Sequence, residues 1–206
     1  MPQAVEPMTD TREPAPNRIR WTRRQCEAIR EAGILTGRYE LIDGEIISKM
    51  GQNPPHAFVV RALLAWLAGL FGATHVQIQS TIHVADADPE HNDPEPDAAV
   101  TAQPYTAYTR QHPGPADLLL VIEVSDTTLR FDRTTKAALY ARAGIGEYWV
   151  VDVTGRQIFV HRRPAPDGYA ETTAYAEHET LAPLARPAGD VRPEDGVRVA
   201  DLLPPV

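Results

Sequence analysis

Apolar and polar residues alternate along this chain with two different periods, and the places where the period changes mark its elements. Between Arg38 and Met50, the apolar Tyr39, Leu41 and Ile42 precede Asp43-Gly44, and Ile46 and Ile47 follow it. An Asp-Gly pair supplies the left-handed residues of a tight turn, so two antiparallel strands are expected around it. Pro54-Pro55 then opens a run in which Phe58, Val59, Leu63, Trp66, Leu67 and Leu70 cover much of a helical circumference, with Gly72 as the stop. This helix, from His56 to Phe71, is expected to be buried against a sheet or a subunit partner.

Further signals fill in the rest of the chain. Thr22 with Gln25 has the form of a capping box, with Trp21 and Cys26 placed as its hydrophobic staple and Gly33 as its close, which predicts a helix from Arg23 to Ala32. His75 to Val84 alternates as a half-buried strand does, Asp86 to Asp97 is an acidic loop broken by prolines, and Ala98 to Thr101 is a short strand. Asp117 to Val124 reads DLLLVIEV, a nearly unbroken apolar run expected to be a central strand covered on both faces. Asp132 is placed to cap a helix running to Arg142, with Gly144 beyond its end. Glu147 to Val153 and Gln157 to Arg162 are expected strands joined by a turn at Thr154-Gly155.

These signals predict a disordered tail over residues 1–17 and a single domain over 18–206, whose part beyond Pro164 is irregular and extended. Hairpins coexist with a strand-helix-strand unit, which places the chain in the mixed α/β (α+β) class, with a mixed central sheet flanked by helices.

Composition changes this picture in four ways. A chain of 206 residues with 43% apolar residues can fill one sizeable core. Its one cysteine, Cys26, forms no internal disulfide or cysteine-based metal cluster. With no apolar run judged long enough for a bilayer and no basic-then-apolar start, a cytoplasmic location and no membrane partner are expected. The net charge of -8 gives the surface as a whole no footprint for nucleic acid, so any phosphate must be held by a metal ion or a local basic patch.

The cations are unevenly written. Of 20 basic residues only Lys49 and Lys136 are lysine. In so arginine-rich a chain a lysine marks a place for a compact ammonium, although Lys49 reads equally well as an ordinary surface residue.

Candidate chemistry gathers at the end of the apolar strand. Glu123 is a carboxylate in a segment expected to be buried, so it needs a cation, a hydrogen-bond network or a raised pKa. Asp97, after Pro96 at the start of a short strand, is placed to converge with Glu123 on a hard cation such as Mg²⁺. A buried acid paired with arginine fits the spacing equally well. On the next helix Asp132, Lys136 and Tyr140 recur at intervals of four and share a face, so Lys136 can point back over the strand end; a surface Asp132–Lys136 ion pair is the alternative. His56, at the start of the buried helix, either approaches the site or is a helix-start histidine satisfied by a local hydrogen bond, and the spacing favours the second. Arg18, Arg20, Arg23 and Arg24 either track a phosphate backbone or decorate a solvated helix end.

Several of these segments occur together in one known family. Tyr39-Glu40-Leu41-Ile42-Asp43-Gly44-Glu45, the helix after His56, Pro96-Asp97, Ile122-Glu123-Val124-Ser125, Asp132 with Lys136 and Tyr140, and Glu147-Tyr148-Trp149-Val150-Val151-Asp152 resemble the Uma-type restriction endonuclease family in order, from Trp21 to Arg163. The resemblance implies the restriction-endonuclease-like fold of the PD-(D/E)xK superfamily and Mg²⁺-dependent cleavage of DNA, with Mn²⁺ as a substitute ion. It implies Asp97 and Glu123 as metal-binding acids. Ser125 stands where the superfamily usually has its lysine, so Lys136 is implied as the migrated replacement. Glu40 matches an additional acid that binds a second metal or orients water, or else forms a salt bridge to an arginine. Ser125-Asp126-Thr127-Thr128 departs from the family, which often has proline after the serine.

The expected function is therefore a Mg²⁺-dependent endonuclease acting on DNA as a homodimer, the dimer following from the apolar helix and the need to cut two strands. Two alternatives stay open: a nuclease fold that binds DNA or a protein without cutting, and a phosphodiesterase for RNA or small substrates.

Overall fold

A computed structural model describes residues 2–5, 19–49, 51, 53–84, 88–187 and 189–205. The chain opens with β1 (Gln3–Ala4), and α1 (Arg23–Glu31) follows behind the expected capping box, Thr22 accepting from the Gln25 amide while the Gln25 side chain accepts from Thr22 N–H. β2 (Tyr39–Ile42) and β3 (Glu45–Ser48) form the hairpin. Its turn residues Asp43 and Gly44 both take positive φ, 49° and 82°, as a tight Asp-Gly turn requires.

α2 (Pro54–Phe71) starts at Asn53, whose side chain accepts from His56 N–H. β4 (Val76–Ile78), β5 (Ala98–Thr101) and β6 (Leu118–Ser125) come next. α3 (Leu129–Phe131), a π-helical turn (Asp132–Lys136) and α4 (Ala137–Arg142) run on without a break. The chain then forms β7 (Glu147–Asp152), β8 (Gln157–Ala165) and β9 (Gly168–Ala176), and finishes with β10 (Thr180–Leu181), β11 (Val197–Arg198) and α5 (Val199–Leu202).

Seven strands make one sheet in the order β1-β9-β8-β7-β6-β5-β4. Among its described pairs only β6 with β7 is parallel, which is the strand-helix-strand unit read from the sequence. Side chains alternate across β6. Leu120, Ile122 and Val124 join α2 and α5 in one core, and Val121 joins Tyr140 and Tyr148 in the other, so the sheet is covered on both faces as the DLLLVIEV run implied. The expected mixed sheet flanked by helices is therefore the observed architecture.

The structure departs from the sequence reading in five places. β4 covers only three of the residues expected between His75 and Val84, because Gln79 takes a positive φ of 50° and breaks the ladder. The helix expected at Asp132 begins at Leu129, and Asp132 lies inside it instead of capping it. β9 is a nine-residue strand where short extended pieces were expected; its Thr, Tyr and Ala side chains give a weak apolar alternation, yet they suit a half-exposed pleated surface. α2 is, by length and composition, apolar enough to cross a bilayer, contrary to expectation, but Val59, Val60, Leu63, Leu67 and Phe71 are packed into the core beside the sheet. Of the tail expected to be disordered, Gln3 and Ala4 pair with Ala174 and Thr173 of β9, and residues 6–18, with Arg18 among them, lie outside the described residues.

Candidate active site

The register of the sheet sets the site. β4 pairs Ile78 with Ala98, and β5 pairs Ala98 with Ile122. One step beyond, Gln79, Asp97 and Glu123 fall in a row across three neighbouring strands, and residues opposite one another in antiparallel strands share a face. The Gln79 amide N–H donating to the Asp97 carbonyl at 3.1 Å continues that row.

Asp97 is 4% exposed, and its carboxylate is gripped from three elements. Oδ2 accepts from the Val124 amide at 2.9 Å and lies 3.2 Å from His56 Nε2 at the start of α2, while Oδ1 accepts from Gln79 Nε2 at 3.3 Å. Burial alone would raise its pKa. The His56 hydrogen bond and charge, Lys49 and the Val124 amide overcome that and hold it at about 2, so Asp97 is ionised.

Glu123 behaves in the opposite way. Burial raises its pKa, Lys136 opposes this, Asp97 and Glu40 raise it further, and Lys49 lowers it. Its Oε1 accepts from Lys136 Nζ at 2.8 Å and from Tyr140 Oη at 2.9 Å. Burial would lower the pKa of Lys136, but Glu123, Glu40 and Asp132 more than reverse this, so Lys136 is an ammonium with 3% exposure. Tyr140, raised well above its usual value by burial and by Glu123, stays a phenol and donates.

Glu40, on β2, reaches the same ammonium: its Oε1 lies 2.8 Å from Lys136 Nζ, and its Oε2 accepts from Glu95 N–H at 3.3 Å. Glu40 thus forms a salt bridge, to lysine instead of the arginine expected. Asp132 does not join the group. Its Oδ2 accepts from Ser125 Oγ at 2.7 Å and Thr128 Oγ1 at 2.5 Å, fastening the helix start to the end of β6, so the surface Asp132–Lys136 pair is absent and both residues are buried.

Asp97, Glu123, Lys136 and Glu40 thus come together, and they line a cleft of about 370 Å³ that also reaches Asn53, His56, Gln79 and Arg38. His56 reaches the site, the less favoured of its two sequence readings. Two of the others escape sequence reasoning: Gln79 carries no signal at all, and Arg38 is an arginine among 18.

The donor set suits a small hard cation. Among the described residues no cluster of three or more His, Cys, Asp and Glu side chains is arranged to hold a metal, and a hard cation held by few carboxylates completes its shell with water or other oxygen ligands. Mg²⁺ is commonly held in that way. Glu123 Oε2 is committed to neither Lys136 nor Tyr140, and the repulsion among buried carboxylates is the kind of field a divalent ion relieves.

Comparison with known proteins agrees with the fold. The family Uma2, described as "Putative restriction endonuclease", matches residues 35–190. A solved structure from Anabaena variabilis, described as "a putative nuclease belonging to DUF820", superimposes with a TM-score of 0.57 at 16% identity, covering 84% of this chain and 96% of that one, a likeness that speaks to fold alone. A comparison with curated proteins found no match.

Proposed function

The chain belongs to the Uma2 family of restriction-endonuclease-like proteins, and from that premise we propose that it is a divalent-metal-dependent endonuclease that hydrolyses phosphodiester bonds in DNA. The observation that carries the proposal is Lys136 Nζ, buried between Glu40 and Glu123 and facing the cleft that an ionised Asp97 also lines.

Asp97 and Glu123 are the proposed holders of Mg²⁺ or Mn²⁺, through Asp97 Oδ1 and Glu123 Oε2. The ion, when bound, neutralises the charge that develops on the phosphate. Asp97 presents a fixed, ionised oxygen because Oδ2 is already engaged by His56 and Val124. Lys136 has three donors; two go to Glu40 and Glu123, and the third is available to hold the attacking water or a phosphate oxygen at the cleft. Glu40 fixes the position of that ammonium, and Tyr140 fixes the rotamer of Glu123. Cleavage of both strands is proposed to use a homodimer, with the exposed Phe58 and Leu64 of α2 at its contact; light scattering of a Phe58→Ser, Leu64→Ser variant should then give a monomer.

The test of activity is nicking of supercoiled plasmid in Mg²⁺ or Mn²⁺. Wild type is expected to nick it, and Asp97→Asn and Lys136→Met to be slower by roughly 10²–10³-fold, the usual loss on removing one charge-stabilising group. Equal cleavage by all three would overturn the assignment. Metal binding without cleavage would favour a nuclease fold that only binds its partner.

A further inference from the structure

Gln79 stands out among the residues around the cleft because its backbone is in the left-handed region, with φ 50°, where residues other than glycine are uncommon. Such a conformation persists when the surroundings over-determine it, and it clusters at functional sites. Here the surroundings are specific. The Gln79 amide N–H donates to the Asp97 carbonyl at 3.1 Å, and its side-chain Nε2 donates to Asp97 Oδ1 at 3.3 Å. Its Oε1 accepts from Arg38 Nη1 at 3.0 Å. A guanidinium only donates and a carboxylate only accepts, so Arg38 decides which end of the Gln79 amide faces Asp97.

Arg38 is itself placed by the acid loop. Its other terminal nitrogen pairs with the Glu95 carboxylate, and the Glu95 backbone accepts from Lys49 Nζ and donates to Glu40. The chain of contacts therefore runs from a half-exposed arginine at the cleft, through the Gln79 amide, to the carboxylate oxygen that His56 and Val124 leave open.

We propose that Gln79 is a positioning residue for the metal site: with its amide oriented by Arg38, it aims Asp97 Oδ1 at the cation. The inference rests on the metal-site reading above and adds to it a residue outside the ligand set. A hydrogen bond to one lone pair of Oδ1 leaves the other for the ion, and it stops the carboxylate from rotating about the Oδ2 anchor. Outer partners of this kind change metal affinity without touching the metal.

Calorimetric titration with Mn²⁺, together with the electron paramagnetic resonance spectrum of the bound ion, tests this on the full chain. Gln79→Met keeps the length of the side chain and removes its donor; it is expected to weaken Mn²⁺ binding by roughly 10- to 100-fold and to alter the spectrum, while the metal-free melting temperature stays that of wild type. Arg38→Met leaves Gln79 in place but frees its amide to turn over, and is expected to weaken binding by a smaller factor. Should Gln79→Met fail to fold, Arg38→Met decides alone. Wild-type affinity and spectrum in whichever variants fold would overturn the positioning role while the metal site stands. No Mn²⁺ binding by wild type would overturn the metal site and this inference with it.

Discussion

Lys136 and Glu123 stand 2.8 Å apart, each no more than 4% exposed, one on the helical segment after β6 and the other on β6 itself. A charge pair so deeply buried contributes little net stability, because desolvation offsets most of the attraction, but losing one partner strands the other. Lys136→Met is therefore expected to destabilise the protein by about 3–5 kcal/mol, since Glu123 and Glu40 both lose their cation. Neutralising those acids in the same chain, as Lys136→Met with Glu40→Gln and Glu123→Gln, should restore much of the stability and none of the cleavage. Urea denaturation of the two variants distinguishes this from a fold that merely needs a lysine; a triple variant no more stable than the single one would count against it.

The stability of the protein should carry the signature of Asp97. Its pKa of about 2 lies below the unfolded value of about 3.9, so it contributes stability above about pH 4 that is lost as the pH falls toward 2. The deficit of Asp97→Asn against wild type should accordingly be largest above pH 4 and close below it. Denaturation midpoints measured down the acid range would show a constant deficit if the carboxylate were not held ionised.

A second acid-sensitive group lies away from the cleft. Burial, with Arg133 adding to it, holds the His161 imidazole down at about 3, where it packs beside the rings of Tyr148 and Tyr169. The folded state thus keeps His161 neutral while the unfolded chain takes up a proton below about pH 6.5, so stability falls as the pH drops from about 6.5 toward 3. His161→Phe should flatten the stability profile over that interval. An unchanged slope would show that His161 is not the group responsible.

Gly44 tests the hairpin that carries Glu40. With φ at 82°, a Cβ there would also meet Arg20 Cβ at 2.6 Å and its Cα at 2.9 Å. Gly44→Ala is expected to cost on the order of 1–3 kcal/mol. A denaturation midpoint equal to that of wild type would show that the turn relaxes freely.

How much of this was legible in the sequence follows from the range of each signal. The Asp43-Gly44 hairpin, the buried β6 strand and the caps of α1 are local patterns, and they appear as read. Glu123 was recognisable because a carboxylate in an apolar run needs a partner, and Lys136 because lysine is rare in this chain. Gln79 and Arg38 were invisible for the opposite reason. Their roles come from the register between β4 and β5, which are joined by a long acidic loop, and from a backbone conformation that glutamine does not announce. The π-helical turn was likewise hidden. It leaves Lys136 and Tyr140 facing Glu123 while Asp132 turns to Ser125 and Thr128.

The contacts of this cleft differ greatly in sequence span, and that implies an order of assembly. Lys136 reaches Glu123 across 13 residues, within the unit of β6, the helical turns and β7. Asp97 meets Val124 across 27 residues and His56 across 41. Short loops close with less entropy lost, so the ammonium is expected to meet its first carboxylate before the other acids arrive. Substitutions between β6 and α4 should then slow folding, and those at His56 should mainly speed unfolding, in stopped-flow kinetics. On that order, each later acid is drawn toward a cation already in place, and the chain never has to gather bare negative charges in its interior.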